Sequence, residues 1–376
     1  MTTILSGARI FDGQRLHDGL AMVIEQDRIA ALIPTPVEGA QIISGVLAPA
    51  FIDLQVNGGA GHQVGPATTP ADLAAICAAH RRLGTAGILP TLITDTAETT
   101  ARVIEAGRDC QGTPGFLGLH LEGPHLDPRR KGAHDPSLIR AMTRADQDRI
   151  AAAAADLPAL LVTLAPESAQ PDQIAALAAA GVVVSLGHTD CSHATAQTAF
   201  AAGARCVTHL FNAMSQLGNR EPGLVGATLS GTAAAGIIAD GIHVHPDTLR
   251  IAMAARQDGL FLVTDCMAFA GTELTELQLN GRRVLRRAGR LELPDGTLAG
   301  ADLTMAQAIR TLITQVGIAP ERALAMASRI PADLIGAADR FGTLAPGRAA
   351  ELVLLSDDWA LKGVWSGPEW LVPPAA

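Results

Sequence analysis

The sequence predicts a (β/α)8 barrel of the TIM type, with a small β-sandwich domain built from both chain termini. Three observations support this α/β fold class. The middle of the 376-residue chain contains eight apolar runs that end in polar residues or glycine, and Ala/Leu-periodic helices lie between most of them. The runs are almost continuously apolar, as expected of parallel strands covered on both faces. At both ends of the chain, short segments with loosely alternating apolar and polar residues are separated by Gly and Pro, which is typical of short strands.

The eight apolar runs give the barrel strands in order. They are Phe51–Gly58, Thr85–Leu92, Phe116–Gly123, Leu161–Glu167, Val182–His188, Cys206–Asn212, Gly236–Gly241 and Leu260–Cys266. The helices predicted between them are Pro70–Leu83, Ala97–Arg108, Arg144–Ala155, Pro171–Ala180, Ser192–Ala202 and Pro246–Gln257. Eight such units over roughly 250 residues match the size of a barrel. A doubly wound sheet is a weaker alternative, because the sequence has neither GxGxxG after the first strand nor a Walker A motif.

The two ends of the chain are predicted to form the small β domain. Residues 1–48 supply its N-terminal part, residues 49–340 form the barrel, and residues 341–376 complete the β domain. An additional β-hairpin is predicted over Leu277–Leu293, after the eighth barrel strand.

Composition and charge exclude several classes of protein. Hydrophobic residues make up 48% of the chain, which is ample for a large core and excludes disorder. The formal net charge of −9 argues against a nucleic-acid partner and against an anionic membrane surface. Five cysteines without a CxxC pair fit a reducing compartment, and no signal peptide is visible. We therefore expect a cytoplasmic protein.

Polar residues at the ends of the predicted strands indicate the functional site. In barrels of this type the catalytic groups lie at the carboxyl ends of the strands. The polar residues at these ends are Gln55, Asn57, Glu122, His188, His209, Asn212 and Asp265. Because His188 and His209 lie 21 residues apart, about one short βα unit, they are expected on neighbouring strands.

Two imidazoles and one carboxylate with an open position form a ligand set for a catalytic divalent cation. Glu122, His188 and His209 are the candidate ligands. We expect Zn²⁺, with Fe²⁺, Co²⁺ and Mn²⁺ as alternatives. Such an ion lowers the pKa of bound water from 15.7 towards about 7 and so supplies a nucleophile at neutral pH. Asp265 would then act as base towards the water and as acid towards the leaving group.

The two lysines of the chain, Lys131 and Lys362, separate classes of barrel enzyme. A two-metal centre bridged by a carboxylated lysine needs that lysine at the end of strand four, where this sequence has Leu164–Glu167. A Schiff-base aldolase needs a lysine inside the barrel. Since neither lysine lies at such a position, metal-assisted hydrolysis without lysine remains.

Six short motifs occur in register between about residues 45 and 350. They are Leu119–Pro124, Leu186–Thr189, Thr208–Met214, Asn219–Gly223, Ile238–His243 and Leu262–Asp265. Together they closely resemble the motifs of N-acetylglucosamine-6-phosphate deacetylases, a family of the amidohydrolase superfamily. The resemblance implies hydrolysis of the acetamide of N-acetyl-D-glucosamine 6-phosphate to D-glucosamine 6-phosphate and acetate.

The resemblance also implies roles for individual residues. By motif match, Glu122, His188 and His209 bind the metal and Asp265 is the general base and acid. His134 matches the residue that contacts the substrate carbonyl, where it would polarise the carbonyl as the oxyanion develops. The residues implied in binding the sugar phosphate are Arg220, His243 and the backbone amides of Asn212 and Ala213. Family members are homodimers, and one phosphate ligand comes from the neighbouring subunit.

The end of strand one departs from part of the family. Some members carry His-x-His there and hold two metals, whereas this chain has Gln55 and Asn57, as in members that bind one. Side-chain amides are poor ligands for a transition metal compared with imidazole. We therefore expect one divalent ion per subunit and assign Gln55 and Asn57 to substrate binding.

Two alternatives remain open at this point. The first is the same chemistry on another N-acetyl-hexosamine phosphate, such as the galactosamine epimer. The second is a non-catalytic barrel used as a binding or scaffold protein, which would be expected to lack ligands or the base, whereas Glu122, His188, His209 and Asp265 are all present.

Overall fold

The computed structural model describes residues 2–279 and 281–374 of the chain. At its centre is an eight-stranded parallel sheet in which each strand pairs with the next in sequence. In order, which we number barrel strands 1 to 8, these are Phe51–Val56, Thr85–Ile93, Leu119–Glu122, Leu160–Leu164, Val183–Leu186, Cys206–Val207, Ala234–Ile237 and Leu260–Leu262. A parallel bridge between Val56 and Cys266 joins strand 1 to the chain just beyond strand 8. This confirms the predicted barrel.

Helices alternate with the barrel strands. The α-helices are Pro70–Arg82, Ala97–Asp109, Arg144–Asp156, Pro171–Ala179, His193–Ala201, Gly223–Ser230, Pro246–Ala255, Met305–Thr311, Pro320–Ala327 and Arg329–Leu334. Thr69, Thr96 and Thr143 each precede a helix and accept a hydrogen bond from the third backbone N–H of its first turn. Such caps satisfy donors that the helix leaves free, which is why these helices begin where the sequence predicts.

The barrel interior contains a chain of hydrogen-bonded polar groups beneath the strand ends. His120 lies between Thr91 Oγ1, at 3.2 Å from its Nδ1, and Thr163 Oγ1, at 2.7 Å from its Nε2. Thr208 Oγ1 continues the chain, lying 2.6 Å from both Thr163 Oγ1 and Ser185 Oγ. Burial lowers the pKa of His120 to about 4, so its ring is neutral and each ring nitrogen has a hydroxyl partner.

Both ends of the chain form two further sheets. The four-stranded sheet has the spatial order Arg28–Pro34, Leu20–Glu25, Thr2–Ser6, Gln41–Ile42. The six-stranded sheet has the order Glu369–Val372, Leu361–Ser366, Glu351–Leu355, Val46–Pro49, Arg9–Phe11, Leu16–His17. Leu5 and Met22 of the first sheet pack in one apolar cluster with Leu47, Leu352 and Trp365 of the second, as in a sandwich. The domain boundaries after residues 48 and 340 stay predictions.

A four-stranded antiparallel sheet follows barrel strand 8, and we call it the inserted sheet. Its strands are Glu276–Leu279, Arg282–Arg287, Arg290–Glu292 and Leu298–Ala301. The segment predicted as a hairpin is therefore part of a larger sheet. Val284 and Leu291 pack beneath it against Met267 and Phe269, which directly follow the eighth strand. The Arg282 side chain donates a hydrogen bond to the carbonyl of Ala133, so the sheet also contacts the loop after strand 3.

All five cysteines lie buried with free thiols. Within residues 2–279 and 281–374, no helix combines the length and apolarity needed to cross a bilayer.

We predict that Gly118→Ala lowers the free energy of unfolding by several kcal/mol, about 2 to 4. Gly118 has φ +130°, and a Cβ there would lie 1.9 Å from the carbonyl oxygen of Ala159, at the start of strand 4. Gly181 also precedes a barrel strand and has φ +91°, but a Cβ there meets nothing within 4 Å. Urea denaturation of both alanine variants measures the difference, and equal losses of stability would contradict the predicted clash.

Candidate active site

The strand ends surround a cavity of about 290 Å³ at the carboxyl end of the barrel. Twenty residues line it: Asn57, Gln63, Ile93, Glu122, Gly132, Ala133, His134, His188, His209, Asn212, Ala213, Ile238, His243, Asp265, Met267, Leu279, Thr297, Leu298, Ala299 and Gly300. Nine of the eleven site residues predicted from the sequence are among them. Gln55 and Arg220 are not.

The backbone turns sharply where the strands deliver their functional side chains. His188, His209 and Asp265 follow strands 5, 6 and 8 and have φ values of 47°, 32° and 51°. Positive φ is uncommon for residues other than glycine and costs of order 1–3 kcal/mol at each position. Glu122, by contrast, is the last residue of strand 3 and needs no such turn. All three of these residues line the cavity.

Glu122, His188 and His209 converge at one point. The Nε2 atoms of His188 and His209 lie 3.0 Å apart. Glu122 Oε1 lies 3.1 Å from Nε2 of His209 and 3.3 Å from Nε2 of His188. All three side chains are buried. Ligands of a tetrahedral ion with bonds near 2.0 Å are separated by about 3.3 Å, so these distances suit a small transition metal.

The hydrogen bond of His188 Nδ1 shows that Nε2, the atom that faces Glu122, carries a lone pair rather than a proton. Its Nδ1 lies 2.8 Å from the carbonyl oxygen of Arg130, which can only accept. Nδ1 therefore carries the proton, and Nε2 is left unprotonated towards the Glu122 carboxylate. Two acceptors that face each other in a buried site require a cation or a shared proton between them. The donor set consequently fits a divalent metal ion, and a backbone carbonyl orients one ligand ring.

The charges of the site are coupled. Burial raises the pKa of Glu122, but hydrogen bonds and positive charge from His188 and His209 outweigh this and hold it well below its usual range. Burial lowers the pKa of His209, and the Glu122 carboxylate more than reverses this effect, so the net pKa is raised. Both shifts show that this pocket favours positive charge beside Glu122.

His134 lies next to Glu122 and His188, but its ring presents an N–H donor rather than a lone pair to the cavity. Its Nε2 is 3.8 Å from Glu122 Oε2, so Glu122, His134 and His188 also form a compact group of potential ligands. However, its Nδ1 accepts the backbone N–H of Thr94 at 3.2 Å and lies 2.7 Å from Thr94 Oγ1. Since a backbone N–H can only donate, the neutral ring carries its proton on Nε2. His134 is therefore better suited to donate a hydrogen bond than to bind a metal.

The environment keeps His134 neutral. Burial and, secondarily, the charge of His188 lower its pKa to about 3. Gly123 makes the supporting contact possible, because a Cβ at that position would lie 2.3 Å from Thr94 Oγ1. Nothing in the sequence pattern distinguishes Thr94 from other threonines at strand ends, so sequence reasoning missed it.

Two side-chain amides hold Asp265 in place. Asn57 Nδ2 donates to Asp265 Oδ1 at 2.7 Å, and Gln55 Nε2 donates to the same oxygen at 3.2 Å. Gln55 Nε2 also lies 3.1 Å from Glu122 Oε1, so it links the two carboxylates. Burial, followed by the charge of Glu122, raises the pKa of Asp265 to about 6. The structure thus places both amides on the Asp265 carboxylate, and Gln55 also on Glu122, while their predicted contact with substrate stays a prediction.

The residues predicted to bind a phosphate are only partly brought together. Asn212, Ala213 and His243 line the cavity, and Nδ1 of His243 lies 2.6 Å from Asp240 Oδ2. Arg220 is exposed in the loop after strand 6 and lies outside the cavity wall. Its predicted role in binding a phosphate stays a prediction.

The inserted sheet supplies a wall that the sequence analysis did not assign. Leu279 and residues 297–300 line the cavity opposite the strand ends of the barrel. The last strand of the sheet is fixed to the site, since Ala301 N–H donates to the carbonyl of Asp265 at 2.9 Å. Its position over the cavity depends on this long-range contact, for which the sequence carries no local signal.

Comparison with known proteins identifies the family. The sequence profile of the amidohydrolase family matches residues 46–367, most of the chain. The chain belongs to the amidohydrolase family. An N-acetylgalactosamine-6-phosphate deacetylase of Shewanella sp. (strain ANA-3) is 40% identical to this amidohydrolase over 336 residues, covering 88% of this chain and 84% of the relative.

Solved structures of amidohydrolases agree with this assignment. The crystal structure of N-acetylglucosamine-6-phosphate deacetylase from Pasteurella multocida has a TM-score of 0.93 and 32% identity, covering 99% of this chain and 100% of the other. A mutant N-acetyl-D-glucosamine-6-phosphate deacetylase from Mycobacterium smegmatis, in complex with N-acetyl-D-glucosamine-6-phosphate, has a TM-score of 0.91 and 30% identity, covering 99% of each chain. The resemblance predicted from the six motifs is confirmed, as is hydrolysis of an amide bond.

Glu122 and His188 could be joined as metal ligands either by His209 or by His134. The metal content of variants distinguishes these two ligand sets. We predict that His188→Asn and His209→Asn each lower bound metal well below one ion per chain, whereas His134→Asn retains it. Elemental analysis of the purified, desalted proteins measures this, and wild type should hold one ion. Full metal content in His209→Asn, or its loss in His134→Asn, would contradict the assignment of His209 as the third ligand.

Proposed function

We propose that this amidohydrolase hydrolyses the acetamide of N-acetyl-D-glucosamine 6-phosphate and releases acetate and D-glucosamine 6-phosphate. The observation that carries the proposal is one cavity that combines three converging metal-ligand atoms, a carboxylate held by two amides, and a neutral imidazole N–H donor. The similarity to a solved deacetylase in complex with this sugar phosphate supports the choice of substrate. The cavity volume of about 290 Å³ suits a monosaccharide.

Glu122, His188 and His209 would hold one divalent ion, which we propose to be Zn²⁺. When bound, this ion lowers the pKa of water towards about 7 and polarises the substrate carbonyl. Gln55 and Asn57 occupy the positions at the end of strand 1 with neutral amides that already donate to carboxylates. These amides leave no imidazole there for a second ion, so the proposal is for one ion per subunit.

Asp265 would move the protons of the reaction. Asn57 and Gln55 both donate to its Oδ1, which leaves Oδ2 to accept a proton from the attacking water. The water oxygen bonds to the carbonyl carbon, Oδ2 returns the proton to the amide nitrogen, and the C–N bond then breaks. Acetate and the amine are the products, and Asp265 ends as a carboxylate. Burial supports this exchange because it raises the pKa of Asp265 to about 6, close to neutral pH.

His134 would stabilise the charge that develops on the substrate oxygen. Thr94 fixes the ring through Nδ1 and keeps the proton on Nε2, where it can be donated into the cavity. A neutral N–H donor suits this position, because an imidazolium would repel the adjacent metal ion. We therefore assign Thr94 a positioning role.

The sugar phosphate would bind near Asn212, Ala213 and His243. Asp240 holds the His243 ring through Nδ1 and leaves Nε2 free for a ligand. Arg220 is exposed and would contribute its guanidinium across the interface of a homodimer, in which the site of one subunit is completed by the other. We further propose that the enzyme is cytoplasmic.

A second candidate substrate is N-acetylgalactosamine 6-phosphate. The specific observation in its favour is the relative of that name at 40% identity, compared with 32% and 30% for the two solved glucosamine enzymes. The two sugars differ only in the configuration of one hydroxyl. A site that hydrogen-bonds this hydroxyl can discriminate between them by orders of magnitude.

We predict that Asp265→Asn lowers kcat for acetate release by a factor of about 10² to 10⁴ and changes KM little, because the amide cannot carry the proton. Chelation should also abolish wild-type activity, and Zn²⁺ should restore it. The exposed Asp109→Asn is the matched control and should keep full activity.

The same assay on both epimers decides the substrate. A higher kcat/KM for N-acetylglucosamine 6-phosphate supports the proposal, whereas a preference of tenfold or more for the galactosamine epimer replaces it with the second candidate. Activity that survives both chelation and Asp265→Asn would contradict the mechanism for either sugar.

We predict that Thr94→Val lowers kcat by about three- to tenfold, corresponding to one hydrogen bond, without loss of bound metal. Valine keeps the shape and the backbone N–H but removes the hydroxyl that lies 2.7 Å from Nδ1 of His134. Thr94→Ser should restore most of the activity. Thr198→Val, on an exposed helix position, is the control. An unchanged kcat, or a loss that serine does not restore, would contradict the positioning role.

A further inference from the structure

A second large cavity lies at the opposite end of the barrel from the catalytic one. It has a volume of about 420 Å³ and is bounded by the starts of barrel strands 2 to 4, near Ala86, Leu117 and Pro158, and by segments of the β domain. We call it the basal cavity. It shares no lining residue with the cavity at the carboxyl end.

Four arginines line the basal cavity, and they come from separate parts of the chain. Arg28 lies at the start of a β-domain strand, Arg81 in the last turn of the first helix, and Arg340 and Arg348 in the return to the β domain. Asp339 and Glu351 are the only acidic residues among the lining residues. In a chain whose formal net charge is −9, this local excess of positive charge is unusual.

Two of the four arginines are held by hydrogen bonds within the fold, and two are not. Arg81 donates to Ser366 Oγ and lies 3.7 Å from Glu351 Oε1, and Arg28 donates to the carbonyl of Gly347 at 2.8 Å. Within residues 2–279 and 281–374, the guanidinium groups of Arg340 and Arg348 have neither a hydrogen-bond acceptor nor a carboxylate partner. Arg340 instead lies over the ring of Phe341, 5.0 Å from its centroid.

The remaining wall suits a ligand with an apolar part. Phe116, Leu117 and Phe341 contribute apolar surface next to the arginines. Gly115 lets the Arg81 side chain pack against the backbone of this wall, because a Cβ at position 115 would lie 3.0 Å from Cδ of Arg81. Guanidinium groups match the geometry of phosphate oxygens and form charge-assisted hydrogen bonds with them.

We propose that the basal cavity is a second binding site, specific for a phosphate monoester with a small apolar group. Arg340 and Arg348 supply the free guanidinium groups, and Arg28 and Arg81 add positive charge. Because the cavity walls belong to both the barrel and the β domain, a bound dianion links the two and stabilises the folded chain by mass action. This site is independent of the proposed hydrolysis.

The test uses the metal-loaded enzyme and phenyl phosphate as the probe. Isothermal titration should show that Arg340→Gln/Arg348→Gln loses one binding event per chain relative to wild type. Since neither guanidinium makes a hydrogen bond or an ion pair in the described part of the chain, and only Arg340 contacts an aromatic ring, their removal should change the free energy of unfolding in buffer little. The matched control, Arg15→Gln/Arg205→Gln, removes two exposed arginines outside the cavity and should bind like wild type.

Further arms separate charge, ligand class and catalysis. Arg340→Lys should retain part of the binding, since it keeps the positive charge, and benzoate, a monoanion of similar shape, should bind more weakly than phenyl phosphate. Acetate release by the double glutamine variant should stay within about twofold of wild type. Wild-type stoichiometry in the double variant, or equal losses in the control, would overturn the proposal whether or not the enzyme is a deacetylase.

Discussion

The arrangement of the whole site depends on three lone-pair donors meeting at one point in a buried cavity. A parallel barrel delivers the ends of all its strands to one rim, but strand geometry alone points successive side chains alternately inwards and outwards. The left-handed turns at His188, His209 and Asp265 redirect these residues towards the centre. The barrel must therefore supply the free energy that these strained conformations cost, and its large buried core provides it.

The same convergence creates an electrostatic problem that neighbouring residues solve. Two buried carboxylates, Glu122 and Asp265, repel each other, and this repulsion contributes to the raised pKa of Asp265. Gln55 donates one amide group to both, which holds them in a fixed relation without adding charge. A histidine at position 55 would replace this neutral donor with a group that titrates, and its charge would then change with pH. The neutral amides therefore add no positive charge beside Glu122.

Much of the fold and part of the site could be predicted from the sequence. The apolar runs identified all eight strands because strands covered on both faces have an unbroken apolar pattern, and Ala/Leu periodicity marked most of the helices between them. His188 and His209 stood out because nothing else polar competes at their strand ends, and Glu122 because it is the carboxylate at the end of the third strand. The pattern could not reveal that Gln55 and Asn57 hold Asp265, or that Thr94 fixes His134, since these contacts join residues 40 to more than 200 positions apart. Arg220 was assigned from its motif alone, and its exposure shows that a motif match does not place a side chain in the cavity of its own chain.

The inserted sheet lines the cavity without carrying any of its converging polar groups. It contributes Leu279 and residues 297–300 to the cavity wall, yet it supplies neither a ligand nor the proton-transfer group. Its attachment is nevertheless tight: Gly300 has φ +66°, and a Cβ there would lie 2.7 Å from the carbonyl oxygen of Asp265 and 2.8 Å from Cγ of Met267. Any side chain at position 300 would therefore displace either the sheet or the backbone that carries Asp265. Thr297 and Leu298 line the cavity without this constraint, whereas Ala299 is also packed in the apolar cluster beneath the sheet. The shape of the cavity thus depends on two separate elements, the strand ends that carry the converging polar groups and the inserted sheet that covers them.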